Sequence, residues 1–439
     1  MPQKYHLETF GCQMNERDTE ILAGMLEELG YQPTENERDA DIIILNTCCV
    51  RETAENKVWG RIGELTHTKS RNPEVILGIC GCMTQQVEVA EKIRQKAPHM
   101  DLIFGTHNIH QLPDLIQRVK TSKKAVLEVW ESEGEIVENL PTRREDGLKA
   151  FITIMYGCNN FCTYCIVPYV RGRERSRLIP DIKAEITQLA REGYKEITLL
   201  GQNVNSYGKD LEPRVEFADL LWELNKIEDI YRLRFTSSHP KDLSDRLIEA
   251  MAGAEKVCEH IHLPVQAGSN RVLKAMNRNY TREHYLELIH KLREAVPQIA
   301  ITTDLIVGFP GETDQDFRDT MDLLERVRYD AAYTFVYNKR SGTPAADLAD
   351  QVPDEVKKAR IQELITLQNS ISLAKNREEI GQRVEVLVEG PSKTNESKLT
   401  GRTRSNKVVV FTGNPDLKGK LATVSIDDAK TWHLEGKLI

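Results

Sequence analysis

The sequence predicts an α/β protein in three parts: an N-terminal parallel α/β domain, a central TIM-like (βα) barrel and a C-terminal small all-β barrel. Apolar strands alternate with amphipathic helices over the first ~120 residues and again from residue 148, a pattern typical of parallel sheets. The last ~60 residues change to short alternating strands broken by Gly, Asn and Pro. A chain of 439 residues is long enough to bury a separate core in each part.

The composition limits the possible classes of protein. No apolar run reaches the ~18–20 residues that span a bilayer, and residues 1–6 contain no apolar signal region. We therefore expect a cytoplasmic protein with no membrane segment. Nine cysteines, an odd number, argue against a disulfide framework and for reduced thiols that bind metal. The net charge of −8 means that any nucleic acid must be bound by local basic patches.

The N-terminal domain is predicted over residues 1–121, with a cysteine in the loop after each of three strands. Cys12, Cys48 and Cys82 occupy these positions. Because the carboxyl ends of parallel strands lie at one edge of a sheet, we expect the three thiols to converge there. The alternative is three scattered free cysteines that are small buried hydrophobes. The predicted strands are 5–10, 41–46 and 75–79, and the predicted helices are 16–29, 52–65 and about 85–96.

Two neighbouring cysteines leave this ligand set open. Cys80 lies at the end of an apolar strand, which favours a place in the core, but it could replace Cys82. Cys49 could replace Cys48, and residue chemistry alone does not decide between them.

Residues 122–147 are charged and rich in turn formers, with a solvated connection over 142–147, and this stretch is predicted to be a linker. Residues 148–377 are predicted to form a complete or partial TIM-like barrel, whose active site would lie at the C-terminal ends of the strands. The predicted strands are 151–156, 171–177, 196–200, 231–236, 259–263, 301–307 and 331–336. The predicted helices include 181–192, 242–252, 281–295, 314–328 and 353–379.

Three thiols follow the first barrel strand. Three residues separate Cys158 from Cys162, and two separate Cys162 from Cys165. A [4Fe–4S] cubane takes one thiolate per iron, so three cysteines leave one iron open to a small ligand. Zinc is one alternative, although its usual signatures pair two thiols with a distant second pair. Three unrelated buried cysteines are the other alternative, and the tight spacing argues against it.

Polar side chains follow several barrel strands. The four arginines at alternate positions of the predicted strand 171–177 would share one face, with Glu174 on the other. A salt-bridged outer face is the alternative explanation for any single arginine. Gln202, Asn203, Ser238 and Gln266 follow three further strands, where amides and hydroxyls suit a nucleobase or a ribose. Turn chemistry accounts for much of this composition, but glutamine is not a favoured turn residue.

The C-terminal domain, residues 378–439, is predicted to contain strands 384–388, 398–403, 407–411 and 421–426. A basic stripe on a small β-barrel suits contacts to an RNA backbone. Solvated surface side chains are the alternative explanation. The stripe consists of Lys393, Lys398, Arg402, Arg404 and Lys407.

These motifs resemble those of a known family. Cys158–Cys165 resembles the CxxxCxφC signature of the radical S-adenosylmethionine (SAM) superfamily, with Tyr164 as the aromatic residue. The segments 9–15, 46–48 and 81–83 resemble the three cysteine motifs of the methylthiotransferases within it, and residues 378–439 resemble a TRAM domain. The resemblance implies two [4Fe–4S] clusters, one on Cys158, Cys162 and Cys165 and an auxiliary one on Cys12, Cys48 and Cys82.

The resemblance also implies binding residues. The superfamily's second-strand motif, which holds the methionine amino group of SAM, corresponds to the arginine run with Glu174, and the segment 304–313 corresponds to its adenine-binding segment. The residues predicted to bind SAM are Tyr164, Glu174, Gln202, Ser238, Gln266, Ile306 and Gly308. Those predicted to bind RNA are Asn203, Arg173, Arg175, Arg402 and Lys407. No side chain is predicted to be a catalytic acid or base, since the cofactors carry the chemistry.

The segments 46–52, 201–207 and 237–240 resemble the tRNA-modifying branch of this family. The implied reaction replaces the C2 hydrogen of N6-isopentenyladenosine at position 37, in the anticodon loop, with a methylthio group. One SAM would supply a 5′-deoxyadenosyl radical and a second would methylate a sulfur held at the auxiliary cluster. The implied partners are tRNA, a flavodoxin or ferredoxin as electron donor, and a sulfur source, with the chain acting as a monomer.

Three alternative hypotheses about the function stay open. Enzymes of the same architecture modify a ribosomal-protein aspartate or a threonylcarbamoyl-adenosine instead. A non-catalytic iron–sulfur RNA-binding protein would release no 5′-deoxyadenosine from SAM. A zinc-stabilised scaffold would be colourless.

Overall fold

The computed structural model describes residues 2–49, 52–144, 147–393 and 395–439, without the side chains of residues 52–54. Val50 and Arg51 of the quoted 46–52 motif, and Glu145 and Asp146 of the predicted linker, lie outside the described residues. The predicted α/β class and three-part architecture are confirmed.

The N-terminal domain is a six-stranded parallel sheet in the order β2-β1-β3-β4-β5-β6. The two central strands are buried along their whole length, because helices cover both faces of the sheet. The strands are β1 Lys4–Thr9, β2 Gln32–Pro33, β3 Ile42–Thr47, β4 Ile76–Gly81, β5 Leu102–Phe104 and β6 Val126–Glu128. The helices are α1 Gln13–Glu28, α2 Glu52–Arg71, α3 Val87–Lys96 and α4 Leu112–Ser122.

The stretch predicted as a linker is part of the folded structure. Strand β6 pairs with β5, so the N-terminal sheet extends beyond residue 121, the predicted end of that domain. Arg144 is almost buried and donates a 2.7 Å hydrogen bond to Glu185, while the amide of Arg143 donates to the Glu20 carbonyl. The sequence shows these arginines as a solvated charge run, since their acidic partners lie far away along the chain.

The central domain is a partial barrel of six parallel strands, β7, β10, β11, β12, β13 and β14. Strand β10 lies between β7 and β11, strand β13 lies between β12 and β14, and an isolated bridge from Leu233 to Val257 links the two halves. The strands of this domain are β7 Lys149–Thr153, β8 Met155–Tyr156, β9 Arg175–Ser176, β10 Glu196–Leu200, β11 Arg232–Phe235, β12 His260–His262, β13 Ala300–Val307 and β14 Ala331–Val336.

Helices surround these strands and connect them. They are α5 Val167–Arg171, α6 Ile179–Arg191, α7 Phe217–Asn225, α8 Asp245–Gly253, α9 Asn270–Ala275, α10 Arg282–Ala295, α11 Asp314–Val327 and α12 Asp354–Arg377. Strand and helix faces meet in one large apolar core, which fixes the strand ends that carry the polar loops.

The predicted strand 171–177 is wrong. Arg171 ends helix α5, Gly172 has a φ of +75°, and only Arg175 and Ser176 are extended, in the two-stranded sheet with β8. The alternating arginines therefore do not share a face: Arg171 is buried and Arg173 is exposed. Period-two spacing predicts a strand only where the backbone stays extended, and this turn interrupts it.

The C-terminal domain is a closed barrel in the order β15-β16-β17-β19-β18. The sequence predicted four of these strands and missed the fifth, β19, whose pattern is short and partly polar. The strands are β15 Arg383–Ser392, β16 Asn395–Thr403, β17 Val408–Thr412, β18 Leu421–Ala429 and β19 Leu434–Leu438. None of the helices described is long and apolar enough to cross a bilayer.

Candidate functional site

The cysteine loop of the central domain leaves β8 at the C-terminal end of the barrel. Cys158 and Cys162 are buried and Cys165 is half-buried. Burial raises the pKa of Cys158 to about 11, and burial with the nearby Cys162 thiol raises the pKa of Cys165 to about 12. Thiols in this setting stay protonated at neutral pH unless a metal takes the thiolate form. The donor set therefore fits an iron–sulfur cluster.

Residues distant in sequence hold this loop in place. The side chain of Gln202, just after β10, accepts a hydrogen bond from the Gly157 amide. The Asn277 side chain donates to the carbonyls of Asn160 and Phe161 at 3.2 and 3.0 Å. Gly157 has a φ of +77°, and a β-carbon there would lie 1.9 Å from the Arg173 carbonyl oxygen. The loop is thus fixed by partners from two other barrel loops and by a glycine that no larger residue can replace.

The second set of thiols lies at the carboxyl edge of the N-terminal sheet, as the sequence predicted. Cys12 directly precedes α1, Cys48 and Cys49 follow β3, and Cys82 follows β4. Their proximity has electrostatic consequences. Burial raises the pKa of Cys12, and the nearby Cys82 adds to this rise. The hydrogen bond with Cys82 and burial raise the pKa of Cys49, with a smaller contribution from Cys48.

The Cys49 thiol donates a hydrogen bond to Cys82, and this contact lowers the pKa of Cys82 to about 6. Both Cys48 and Cys49 are buried at this edge. The assignment of Cys48 as the ligand, which came from the family resemblance, therefore stays a prediction. Cys80 lies within β4, fully buried in the apolar core.

Asparagine side chains brace the edge that carries these thiols. Asn15 donates to the Asn46 side chain at 3.2 Å and to the Thr47 carbonyl at 3.1 Å, and Asn46 donates back to the Asn15 carbonyl at 2.9 Å. Gly81 has a φ of +104° and approaches the same Thr47 carbonyl. These contacts connect the start of α1 to the ends of β3 and β4, and so position the three cysteine loops.

Arg171 joins the two sets of cysteines. Its Nε donates to the Cys82 sulfur at 3.2 Å, and its Nη2 donates to Asp18 at 2.6 Å. Because α5 begins two residues after Cys165, the helix that leaves one cysteine loop ends against the other set. Sequence reasoning placed Arg171 on a strand and missed this contact.

Within the described residues, no three Cys, His, Asp or Glu side chains converge tightly enough to ligate a single metal ion. A cubane spreads its thiolates over separate irons, one for each cysteine.

A cavity of about 810 Å³ lies between the two sets of thiols. Cys12 lines it from the N-terminal domain, Cys165 lines it from the barrel, and Asn406 reaches it from the C-terminal barrel. Its volume is in the range of a site for a sizeable organic ligand. The rest of the wall includes Gln13, Glu16, Tyr164, Ser237, His260, His262, Gln266, Thr302, Asp304, Ile306, Tyr333, Phe335, Tyr337 and Arg340.

The residues predicted to bind SAM divide into two groups. Tyr164, Gln266 and Ile306 line the cavity. Gln266 does so with a φ of +71°, and Ser237, which lines the same cavity, has a φ of +65°; both are strained values for residues other than glycine. Such strain concentrates where a structure holds a ligand, which makes the Gln266 and Ser237 loops the best candidates to surround one.

The other predicted SAM residues do not line the cavity. Glu174 accepts a 3.2 Å hydrogen bond from the Asn159 amide and so braces the cysteine loop from outside. Its predicted place on the face opposite the arginines depended on the strand that does not form. Gly308, with a φ of +72°, donates its amide to the Glu312 carboxylate and shapes the turn after β13. Gln202 is engaged with Gly157, as described above.

Unpartnered polar atoms gather beyond β10 and β11. The Asn203 Oδ1, Asn205 Oδ1, Ser238 Oγ and His239 Nε2 atoms are buried and have no hydrogen-bond partner among the described residues. Buried polar atoms without partners are rare, because each forfeits its hydrogen bonds with water. The cluster therefore fits a polar ligand at this end of the barrel, as the amino-acid and ribose groups of SAM would be. Asn203 also donates to Asp242 at 2.8 Å, which directs it away from the RNA-binding role predicted for it.

Sequence reasoning missed a polar patch inside the barrel. His262 contacts Thr302 at 3.0 Å and Asp304 at 3.4 Å, and its ring packs edge-on against Tyr333. Burial lowers the pKa of the neighbouring His260 to about 3. The sequence does show two histidines at alternate positions of β12. This spacing indicates a polar patch only once β12, β13 and β14 are known to be neighbours, because histidines also occur in ordinary cores.

The arginines predicted to bind RNA differ in their exposure and in the contacts that they already make within the protein. Arg173 is exposed and stacks on Phe161, 4.3 Å from the ring centroid. Arg175 is half-buried and donates to the carbonyls of Glu133 and Gly134. Arg402 is paired with Glu389 at 3.3 Å.

Two residues of the predicted basic stripe, Arg404 and Lys407, contact the central domain. Lys407 is almost buried and pairs with Glu379 and Asp330 at 3.1 and 3.6 Å. Arg404 pairs with Glu259 at 2.7 Å. Part of the stripe is therefore a domain interface, which period-two spacing cannot distinguish from a solvent face.

Three family profiles match the chain. The Radical SAM superfamily matches residues 152–324, the Uncharacterized protein family UPF0004 matches residues 4–105, and the TRAM domain matches residues 377–439. Among solved structures, the radical SAM methyltransferase TsrM from Kitasatospora setae, with tryptophan and a SAM analogue bound, gives a TM-score of 0.57 at 15% identity. That alignment covers 78% of this chain and 75% of TsrM. A cobalamin-dependent radical SAM enzyme, OxsB, gives a TM-score of 0.55 at 14% identity, over 84% of this chain and 58% of OxsB.

Profiles and fold together define the class: a radical SAM enzyme with an N-terminal UPF0004 domain and a C-terminal TRAM domain. The superfamily uses SAM with a [4Fe–4S] cluster. Two relatives are named tRNA-2-methylthio-N(6)-dimethylallyladenosine synthase. The protein from Carboxydothermus hydrogenoformans is 60% identical over 100% of this chain and 99% of the relative. The protein from Desulforamulus reducens is 61% identical over 99% and 95%. The chain belongs to this family of transferases.

Proposed function

We propose that this protein replaces the C2 hydrogen of N6-isopentenyladenosine-37 of tRNA with a methylthio group. The observation that carries the proposal is the cavity of about 810 Å³, which Cys12 lines from one side and Cys165 from another. A reaction that needs both a hydrogen-abstracting group and a sulfur donor requires both to reach one carbon atom. The names of the relatives support the substrate, and the shared cavity supports the reaction.

The residues present fit two iron–sulfur clusters, one held by Cys158, Cys162 and Cys165 and the other by Cys12 and Cys82 with Cys48 as the predicted third ligand. When bound, these clusters and SAM supply the radical chemistry, the sulfur and the methyl group, with two SAM molecules used for each product. Electrons would come from a flavodoxin or ferredoxin, and the sulfur from a separate source. We propose that the protein acts as a monomer in the cytoplasm.

The protein's own residues position the reactants and exclude water. Gln202 and Asn277 fix the cysteine loop of the barrel, and the strained Ser237 and Gln266 loops shape the cavity wall. Arg340, after β14, donates a 2.6 Å hydrogen bond to the Cys49 carbonyl and so attaches the N-terminal cysteine edge to the barrel mouth. Closing the cavity in this way shields a reactive site from solvent.

The cavity wall also suits a purine base with an apolar tail. His262, Asp304 and Thr302 offer hydrogen-bonding groups inside the barrel, and Tyr333 and Phe335 offer apolar surface. A base in an anticodon loop is already unpaired, so turning it out of its stack costs a few kcal/mol at most. Asn406 brings the TRAM domain, an expected RNA-binding module, to the edge of the same cavity.

The test is a reaction of the anaerobically reconstituted protein with SAM, a reductant and tRNA that carries isopentenyladenosine. Mass spectrometry of the digested nucleosides should show the 2-methylthio product, and chromatography should show 5′-deoxyadenosine. A protein that binds tRNA but releases no 5′-deoxyadenosine would be a binding protein, and the proposal would fail. Product on threonylcarbamoyl-adenosine or on a ribosomal-protein aspartate alone would reassign the substrate.

A further inference from the structure

Arg278 is buried against the cysteine loop of the barrel. Its Nη1 donates to the Cys162 sulfur at 3.4 Å, its Nη2 to the Pro264 carbonyl at 2.7 Å, and its Nε to the Tyr280 hydroxyl at 3.0 Å. Only 4% of the residue is exposed. The guanidinium is thus held rigidly, with one donor directed at a sulfur atom.

No carboxylate in the described chain forms an ion pair with Arg278. Other buried arginines do have acidic partners: Arg171 pairs with Asp18 at 2.6 Å, and Arg360 pairs with Glu312 at 3.4 Å. A buried charge without a counter-charge is strongly unfavourable. The buried guanidinium of Arg278 therefore requires a negatively charged group beside it in the active protein.

The other groups around Arg278 do not supply that charge. Tyr164 and Tyr280 offer only phenolic hydroxyl groups to Arg278, which carry no charge near neutral pH. Pro264 offers only a carbonyl. Cysteine ligates a metal as the thiolate, so Cys162 would bring a negative charge beside Arg278 when it holds a cluster.

We propose that Arg278 is the counter-charge of the iron–sulfur cluster bound by Cys158, Cys162 and Cys165, and that it raises the reduction potential of that cluster. The proposal rests on the proposed function only in placing a cluster on these thiols. Reduction adds one negative charge to the cluster, so a fixed cation favours the reduced form more than the oxidised form. Net charge and hydrogen bonds to the sulfurs are established determinants of cluster potentials. Arg278 is therefore a positioning and tuning residue, and it does not contact the reacting atoms.

The experiment compares Arg278→Gln and Arg278→Lys with the wild type, each as the full-length protein reconstituted anaerobically, without tRNA. Iron content is measured first, and electron paramagnetic resonance then follows a redox titration. With Gln, one midpoint should shift to a more negative potential by at least a tenfold change in the one-electron equilibrium, or 59 mV. Lys, which keeps the charge, should restore most of that shift. Arg282→Gln is the matched control, since Arg282 donates to the Asp319 carbonyl and pairs with Asp322, and the described structure gives it no contact with a cysteine.

Each outcome decides the proposal. If Gln prevents cluster assembly while Lys permits it, the charge is required to hold the cluster, which supports the proposal. Unchanged midpoints in Arg278→Gln with full iron content would overturn it, as would equal losses in Gln and Lys. These results leave the proposed function intact, because methylthio transfer is assayed separately. A wild-type protein that binds no cluster at all would overturn both.

Discussion

Arg404 and Glu259 form a bidentate ion pair between the C-terminal barrel and the central barrel, with N–O distances of 2.7 and 2.8 Å. Arg404 also donates to the Val257 carbonyl, while Arg234 of β11 donates to the Arg404 carbonyl. This interface fixes the TRAM domain beside the cavity that Asn406 helps to line.

Arg404→Ala should therefore loosen the docking of the C-terminal barrel. Hydrogen bonds to charged groups contribute about 1.5–3 kcal/mol, and this partly buried pair should lie in the lower half of that range. Thermal unfolding and limited proteolysis near residues 377–383 measure the change. Lys437→Ala, on an exposed pair with Asp427, is the control. Equal protease resistance in the two variants would show that the ion pair does not hold the domains together.

The two sets of cysteines should separate functionally. Replacing Cys158, Cys162 or Cys165 by Ala should abolish SAM cleavage, because the open-iron cluster needs all three thiolates. Replacing Cys12 or Cys82 should preserve some 5′-deoxyadenosine but end methylthio transfer. Chromatography and nucleoside mass spectrometry distinguish these two losses, and Cys258→Ala serves as a buried-cysteine control.

The same series tests the assignment of Cys48. Its replacement by Ala should remove one cluster's worth of iron, whereas Cys49→Ala should leave the iron content unchanged. The opposite result would make Cys49, whose thiol contacts Cys82, the third ligand.

Arg173→Ala should weaken tRNA binding. Arg173 is exposed beside the cysteine loop, where it can contact a phosphate, and one lost phosphate contact lowers the slope of log K against log salt by about 1. Binding titrations at several salt concentrations give this slope. Lys407→Gln should leave the slope unchanged, because Lys407 is paired with Glu379 and Asp330. A larger change of the slope in Lys407→Gln than in Arg173→Ala would mean that the RNA contacts the TRAM domain at Lys407 and not the surface beside the cysteine loop.

Methylthiolation should depend on the isopentenyl group. Five carbons add apolar surface that the cavity side chains Ile306, Tyr333 and Phe335 can cover. At ~25 cal/mol per Å², this burial contributes on the order of 2 kcal/mol, a preference of tens-fold. The assay compares one tRNA with and without the group by nucleoside mass spectrometry. Equal product from both would contradict the substrate assignment.

The free energy of unfolding should decrease as the pH falls, because His260 is buried in its neutral form. Burial lowers its pKa to about 3, below the unfolded value of about 6.5. The folded state therefore binds fewer protons, so this contribution is complete above pH 6.5 and is lost as the pH falls toward 3. Between pH 7.5 and 5, the wild type should lose about 2 kcal/mol more unfolding free energy than His260→Asn. Denaturant unfolding at both pH values measures this, with the exposed His290→Asn as control. Parallel pH curves for the wild type and His260→Asn would show that His260 titrates normally in the folded state.

The sequence by itself determined the three-part α/β architecture, the positions of most strands and the convergence of the N-terminal cysteines. Hydrophobic periodicity sets strands and helices locally, and parallel strands place their following loops at one edge. The short spacing of Cys158, Cys162 and Cys165 predicts a cluster-binding loop without reference to any other part of the chain.

Only the tertiary structure decided which charges face which partners. Arg171 and Arg278 each donate to a cysteine sulfur from a part of the chain that no local pattern connects to it. Lys407 was expected to face RNA, but it pairs with Asp330 of the central domain and with Glu379. Local spacing specifies the side of an element on which a side chain lies, whereas its partner depends on how whole domains pack. The shared cavity between Cys12 and Cys165 exists only through that packing.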